Sequence, residues 1–296
     1  MGKIQIFDIS SFSHKGTIQI GENADGESSQ LYARQGSIFI RAGQFVIDHS
    51  NILADVPFSF EEQSTSVFDI QADTVKIQNG SLLSTDTLAI INGAPLSIRA
   101  SEDIDISASQ IRVGSIGAMA SGHAGTLRLS GKSVTLRDES QIQSESKDGS
   151  AGNAGNIIIR VADAVTVSDS ILDVYSTGLG MAGNVEIKTN TFSVLKGGHI
   201  HAYTEGQGIG GDINLKVMTL WLDDEATMSS ESRATSFGGE AGTIAITAKD
   251  IRLTNHSAIT TEAISAGGGA IDIQANNLVY LIDSKITTSV QGGTGT

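Results

Sequence analysis

The feature that most constrains the fold is a glycine-led phrase, Gly-x-(apolar)-x-(apolar), that returns with a period close to 29 residues. The clearest copies begin at Gly125, Gly155, Gly183, Gly211 and Gly242, with steps of 30, 28, 28 and 31 residues. Weaker copies begin at Gly36, Ser66, Pro95 and Gly269, which makes nine units. A period of roughly 20 to 50 residues is typical of a solenoid, a propeller or an array, in which each unit buries its apolar face against its neighbours.

Each unit contains three short stretches in which every second residue is apolar, which indicates three β-strands. In the unit from Gly155, the residues predicted to point inward are Ile157, Ile159, Val165, Val167 and Leu172. They are expected to stack on Val185, Ile187, Phe192, Val194 and Ile200 of the next unit. A small residue follows the first stretch in most units, where a tight corner is expected: Ala42, Ala72, Ala100, Gly131, Ala248 and Ala275.

These units predict an all-β fold, a single-stranded right-handed parallel β-helix of about nine coils. A four-stranded propeller blade needs about 40 residues or more, and the Leu/Asn ladder of a leucine-rich repeat is absent from the sequence. Residues 1–35 are predicted to form an irregular N-terminal strand segment and a partial coil, and residues 36–296 the repeats. Because no linker interrupts the repeats, one elongated domain is expected.

Composition narrows the classes of function. The 296 residues carry a net charge of −14, which disfavours nucleic acid as a partner. Cysteine is absent, which excludes disulfides, iron–sulfur clusters and thiol catalysis. No run of about 18 apolar residues occurs, so no transmembrane segment is predicted.

The two ends of the chain predict a piece of a larger protein. The N-terminus, MGKIQIFDISSFSHKGTIQI, lacks a basic stretch followed by an apolar run, so no signal peptide is predicted and strand is expected. The C-terminus, SVQGGTGT, stops inside what would be the next glycine-rich loop. Neither end carries a recognisable cap, although solenoids need one. The chain is therefore expected to be a segment of a longer repeat protein.

Two stretches resemble the β-helical repeats of filamentous haemagglutinin-like exoproteins, which are exported by two-partner secretion. They are GNAGNIIIRVADAVTVSDSILDVYSTGLGMAGNVEI and IDIQANNLVYLIDSKITTSVQGGTGT, and the resemblance covers roughly residue 36 to the end. The chain departs from that family by lacking its N-terminal secretion domain and signal peptide.

The resemblance implies a secreted or cell-surface adhesin that is not an enzyme. Its full-length form would pass through an outer-membrane secretion transporter as a longer precursor and fold outside, at the extracellular or outer-membrane surface. Surface glycans or host-cell receptors would be its further partners, and no cofactor is implied. The alternative is a carbohydrate-active or carbohydrate-binding β-helix, similar to polysaccharide lyases and hydrolases.

An enzyme of that kind would gather carboxylates on one outward face. The first outward position of the first strand reads Phe39, Asp69, Ser97, Arg128, Ile158, Glu186, Asn214, Ala245 and Asp272. Since no two neighbouring coils both supply a carboxylate there, the column predicts neither an acid/base pair nor a calcium cluster. No catalytic, cofactor-binding or metal-binding residue is therefore predicted.

Two polar groups are interpreted as structural. A partial acidic ladder at the middle corner is expected to form turns, with calcium as the alternative: Asp48, Asn79, Asp138, Asp169, Asp224, Asn255 and Asp283. His199 and His201 flank the inward Ile200 and so share one outward face, where Asp173 of the preceding coil is expected to contact His201. Zinc would need a third ligand, and the following coil offers only Thr227 and Ser229.

A basic ladder, defined as Arg160, Lys188 and Lys216, is the candidate contact for glycans. These residues occupy the second outward position of the first strand in three consecutive coils. Parallel coils would place them about 4.8 Å apart on an otherwise acidic molecule. Such a row predicts either a shallow groove for acidic glycans or a solvated sheet face whose cations pair with Glu186 and loop acids.

Overall fold

The regular structure of the described residues consists entirely of β-strands. A computed structural model describes residues 15–34, 36–57, 66–118, 120–147, 149–235, 238–265 and 267–291. The strands are β1 (Thr17–Ile20), β2 (Gln30–Tyr32), β3 (Ile38–Arg41), β4 (Gln44–Asp48), β5 (Asn51–Leu53), β6 (Phe68–Ala72), β7 (Thr74–Gln78), β8 (Leu82–Ser84), β9 (Leu96–Ala100), β10 (Asp103–Ser107), β11 (Gln110–Ser115), β12 (Leu127–Arg137), β13 (Gln141–Ser146), β14 (Ile157–Ser168), β15 (Ile171–Ser176), β16 (Val185–Leu195), β17 (His199–Thr204), β18 (Ile213–Asp223), β19 (Thr227–Ser232), β20 (Ile244–Leu253), β21 (Ala258–Ala263), β22 (Ile271–Leu281) and β23 (Lys285–Val290).

The strands stack as a parallel β-solenoid of about nine turns with a period of about 28 residues. Each strand pairs in parallel with its equivalents in the neighbouring coils, which produces a 13-stranded sheet and a 10-stranded sheet. The larger sheet collects the first and second strands of the coils, and the smaller sheet collects the third strands. No helix occurs among the described residues, and therefore none that could cross a membrane. The predicted fold class is confirmed.

The prediction of three separate strands per coil holds only for the early coils. From β12 onward the first and second strands join into one strand of 10 to 12 residues. At the predicted corner, the strand continues with a shift in pairing register, for example between Gly131 and Ser133. A bulge bends a strand without ending it, which explains why a corner does not always interrupt the strand.

The core is a set of columns that run through the coils. Ile157 and Ile159 lie directly beside Val185 and Ile187, as predicted. The remaining predicted pairs, Val165 with Phe192, Val167 with Val194 and Leu172 with Ile200, are also in register. All ten side chains are fully buried. Burial of each aliphatic side chain contributes about 1.5 to 3 kcal/mol to the stability of the fold.

The glycine-led phrase repeats because the coils touch at these glycines. A Cβ added to Gly155, Gly183 or Gly211 would lie 1.8 Å from the carbonyl oxygen of the equivalent glycine one coil earlier. A second column of glycines lies three residues earlier in these coils. A Cβ added there would also lie close to the carbonyl oxygen of the equivalent glycine one coil earlier, at 1.9 Å for Gly180 and 2.0 Å for Gly208. No side chain fits at such distances, so the repeat is dictated by backbone packing.

The same contact corrects the start of one unit. A Cβ on Gly125 would meet the carbonyl oxygen of Ala94, and Leu96 pairs with Leu127. The equivalent of the repeat glycine is therefore Ala94, and the predicted start at Pro95 is one residue late.

The middle corner turns through a left-handed residue in every complete coil that the structure describes. The residues with φ between 47° and 59° are His49, Asn79, Ala108, Asp138, Asp169, Lys196, Asp224, Asn255 and Asp283. The predicted Asp/Asn turns are thus confirmed except at Asp48, which ends β4 opposite Gln78 while His49 makes the turn. Asp and Asn tolerate this conformation better than most residues, which explains their recurrence there.

A ladder of serines follows this corner and is buried except at its two ends, Ser29 and Ser284. The backbone N–H of each serine donates to the Oγ of the serine one coil later at 3.1 to 3.3 Å, in the series Ser29, Ser50, Ser81, Ser109, Ser140 and Ser170, and again from Ser257 to Ser284. Each bond pairs a backbone donor that would otherwise be buried alone at the corner.

The first described strands extend the solenoid by part of a coil. β1 and β2 pair in parallel with β4 and β5. The strand expected within residues 1–14 lies outside the described residues, as do residues 292–296. At the other end, the inward Val279 and Leu281 of β22 are exposed because no described coil packs over them.

Candidate functional site

The basic ladder is aligned as the repeat predicts. Arg160 lies opposite Lys188, and Lys188 lies opposite Lys216, on the outer face of β14, β16 and β18. Arg160 donates to Glu186 at 2.8 Å, so its charge is compensated. Lys188 and Lys216 are exposed and form no ion pair with the residues that the structure describes. They flank a shallow groove of about 360 Å³ that Asn190 and Met218 also line.

A buried carboxylate network lies on the outer side of the third strands. Asp86 and Glu145 stand on either side of Gly114, whose Cβ, if present, would lie 2.7 Å from Asp86 Oδ1. The Arg112 guanidinium lies 2.6 Å from Asp86 and 3.5 Å from Glu145. The Tyr175 hydroxyl donates to Glu145. Gly114 leaves the space in which the two carboxylates converge on one arginine.

Burial dominates the electrostatics of this network. It raises the pKa of Asp86 to about 6, although Arg112 opposes the shift. It also raises the pKa of the Tyr175 hydroxyl, with Glu145 as the second cause. Asp86 and Glu145 are each about 1% exposed, so a polymeric substrate has no access to them. Two carboxylates with an arginine and a tyrosine resemble cleavage chemistry in residue type, but their burial favours a structural role.

The column continues into a stack of rings. Tyr175 and Tyr203 lie with ring centroids 5.1 Å apart and planes within 4°. The Arg233 guanidinium lies 3.9 Å above the Tyr203 ring and pairs with Glu231 at 2.6 Å. Tyr203 thus has a neighbour on each face, and a sugar ring has no free face there on which to stack. The column therefore stabilises coil-to-coil packing through aromatic and cation–π contacts.

The sequence alone does not predict the carboxylate network or the ring stack, for one reason. Asp86, Glu145, Tyr175 and Glu231 are far apart in the chain, and they align only once the third strands are in register. The third-strand stretches are short and rich in Ser and Thr, so their outward columns stand out less than those of the first strands. The available signal was Gly114, a glycine inside a strand, which often marks a close approach.

The histidine pair lies where the alternation predicts. His199 and His201 share an outward face with ring centroids 5.1 Å apart, and His201 Nδ1 lies 3.4 Å from Asp173 as expected. Thr227 Oγ1 lies 2.6 Å from His199 Nδ1 and 3.3 Å from His201 Nε2. Burial and the neighbouring His201 lower the pKa of His199, which favours its neutral form.

Metal binding finds no support in the described part of the chain. No group of three or more His, Asp or Glu side chains is placed there to hold an ion. At the corner, the carboxylate of Asp138, which the calcium alternative would require, is paired with Arg137.

Comparisons with known proteins leave the family open. No protein-family model, no curated protein and no solved structure matched the chain.

Proposed function

We propose that the chain is a non-enzymatic, rigid shaft segment of a secreted or cell-surface exoprotein. The observation that carries the proposal is the uninterrupted core, in which inward columns continue from coil to coil without a hinge among the described residues. Each coil between the first and the last described ones is fixed to two neighbours by parallel backbone hydrogen bonds and by buried aliphatic side chains, which makes a stiff prism. Such a body positions surfaces at a distance and needs no catalytic centre.

Export as part of a longer precursor belongs to the same proposal. The full-length protein would pass through an outer-membrane secretion transporter and act at the extracellular or outer-membrane surface. A chain without cysteine folds with no disulfide, so folding after export needs no oxidising enzyme. Local contacts between successive coils favour folding from any point along the chain.

The adhesive part of the proposal rests on the basic ladder. Lys188 and Lys216 are exposed, aligned and without an anionic partner among the described residues, whereas Arg160 is held by Glu186. A linear sulfated glycan lying along the solenoid could meet one cation per coil. The contacts would be exposed and therefore screened by salt over about 8 Å at physiological ionic strength.

One experiment tests the shaft and the ladder together. The intact chain is expected to be retained weakly on immobilised sulfated glycan at low salt. Changing Arg160, Lys188 and Lys216 together to serine should abolish retention while the melting temperature stays nearly constant, because all three side chains are exposed. Deleting residues 242–268, one whole coil, joins Ala241 to Gly269 and should leave folding and retention intact.

A matched deletion serves as the control. Removing only residues 242–255 takes away part of a coil, shifts every later column out of register and should disrupt folding. If the whole-coil deletion were as disruptive as this control, the coils would not be interchangeable shaft units. If the unmodified chain were not retained at low salt, the ladder would be only a solvated face. Shortening of the glycan during incubation would favour the carbohydrate-active alternative.

A further inference from the structure

An exposed aromatic column lies on the outer face of the larger sheet, separate from the basic ladder. Trp221 of β18, Arg252 of β20 and Tyr280 of β22 are directly opposite one another in three successive coils. Trp221 is the only tryptophan of the chain and is 39% exposed, while Tyr280 is 43% exposed. Aromatic side chains grouped on an exposed face are enriched at interaction sites.

The column borders an open groove of about 490 Å³. Two carboxylates near it have partners in the neighbouring coil: Asp250 accepts from Asn277 at 2.5 Å, and Asp223 accepts from Thr254 at 2.6 Å. The exposed Arg252 guanidinium, in contrast, makes no ion pair or side-chain hydrogen bond with the described residues. The groove thus offers a guanidinium with no direct ion pair, placed between two aromatic rings and sharing the groove with the carboxylate of Asp250.

This combination selects a ligand by its chemistry. A guanidinium binds a carboxylate through two parallel hydrogen bonds, and aromatic rings pack well against the apolar faces of sugar rings. Coils are spaced at about 4.8 Å, so the two rings stand two coils apart with Arg252 between them. The side chains of Asp250, Asn277 and Thr219 add hydrogen-bonding groups that suit hydroxyls.

We propose that this groove binds a strand of carboxylated polysaccharide. A uronate carboxylate pairs with Arg252, and the adjoining sugar rings pack on Trp221 and Tyr280. A peptide strand fits less well, because the backbone groups of β18 and β20 beneath the groove are already paired with strands on both sides. The inference goes beyond the proposed shaft and does not depend on it.

The single tryptophan supplies a direct probe of binding. Titration of the intact chain with a hexamer of galacturonic acid is expected to change the Trp221 fluorescence in a saturable manner. Arg252→Gln should weaken binding at least tenfold, and the fully methyl-esterified hexamer, which has the same length and no charge, should bind at least tenfold more weakly. Changing Lys188 and Lys216 to serine should leave the titration unchanged, because these residues line a different groove.

Calorimetry separates the contribution of ring stacking to the affinity from the contribution of the charge pair. Trp221→Leu should lower the affinity for the hexamer, whereas Trp221→Tyr should retain most of it. Both substituted side chains are exposed, so the variants should fold like the unmodified chain, which circular dichroism checks. The inference is overturned if neither fluorescence nor heat reports binding, if the methyl ester binds as tightly as the acid, or if Arg252→Gln binds like the unmodified chain. Failure here leaves the retention experiment on sulfated glycan unaffected, so the two proposals can fail separately.

Discussion

Replacing Val194 by aspartate is expected to unfold the central coils. Val194 is fully buried and lies in register between Val167 and Leu222 of the neighbouring coils. A carboxylate there would have no partner in an apolar column, and the free energy of unfolding should fall by at least about 4 kcal/mol. Because burial raises the pKa of such a carboxyl group, the loss should be smaller at acidic pH, where the group is neutral.

Amide hydrogen exchange measures this effect coil by coil. Protection should fall in β14, β16 and β18, since each coil is stabilised mainly by its neighbours. Thr247→Asp is the matched control, because Thr247 is exposed on the outer face and the change should shift stability by no more than about 0.5 kcal/mol. Equal effects of the two substitutions would contradict the inward assignment of Val194.

Replacing Gly183 by alanine is expected to force two coils apart. The added Cβ would lie 1.8 Å from the carbonyl oxygen and 2.6 Å from the carbonyl carbon of Gly155. Both atoms belong to the backbone, so relief requires a shift of the whole coil. The resulting loss of stability should reach at least about 3 kcal/mol, at the upper end of overpacking effects, although only one methyl group is added.

A second glycine provides the control for this substitution. Within the described part of the chain, no atom lies within 4 Å of a Cβ added to Gly16, and the φ of Gly16 lies outside the left-handed region. Gly16→Ala should therefore leave the urea midpoint unchanged or raise it slightly, through the lower entropy of the unfolded chain. A Gly183→Ala chain with an unchanged midpoint would show that the coils do not touch at the glycine column.

The fold could be predicted because two independent patterns coincide. Alternation placed Ile157, Val165 and Leu172 on one face, and the period placed each of them beside its partner in the next coil. Backbone contact between Gly155 and Gly183 connects the alternation with the period. The spacing that brings these glycines together also sets the register of the apolar columns. The fold of a repeat protein can be predicted from its sequence when the local alternation and the long-range period agree.

The candidate sites could be predicted from the sequence only in part. The alignment of Arg160, Lys188 and Lys216 follows from the period, but the salt bridge that removes Arg160 from the ladder depends on side-chain rotamers. The convergence of Asp86 and Glu145 over Gly114 depends on the absence of one side chain. The groove beside Trp221 is lined by residues of four coils, which come together only once the second strands are in register. Side-chain geometry of this kind can be predicted only after the pairing register of the strands is known.

Disulfide trapping tests the central claim, the in-register stacking of coils, most directly. The chain contains no cysteine, so any cross-link comes from introduced residues. Lys188→Cys with Lys216→Cys places two thiols one coil apart, at a Cα separation of about 4.8 Å, which suits a disulfide. Arg160→Cys with Lys216→Cys places them two coils apart, at about 9.6 Å, which is too far. Mass spectrometry after mild oxidation should find an intramolecular disulfide in the first pair and free thiols in the second. A cross-link in the second pair, or none in the first, would contradict the stacking.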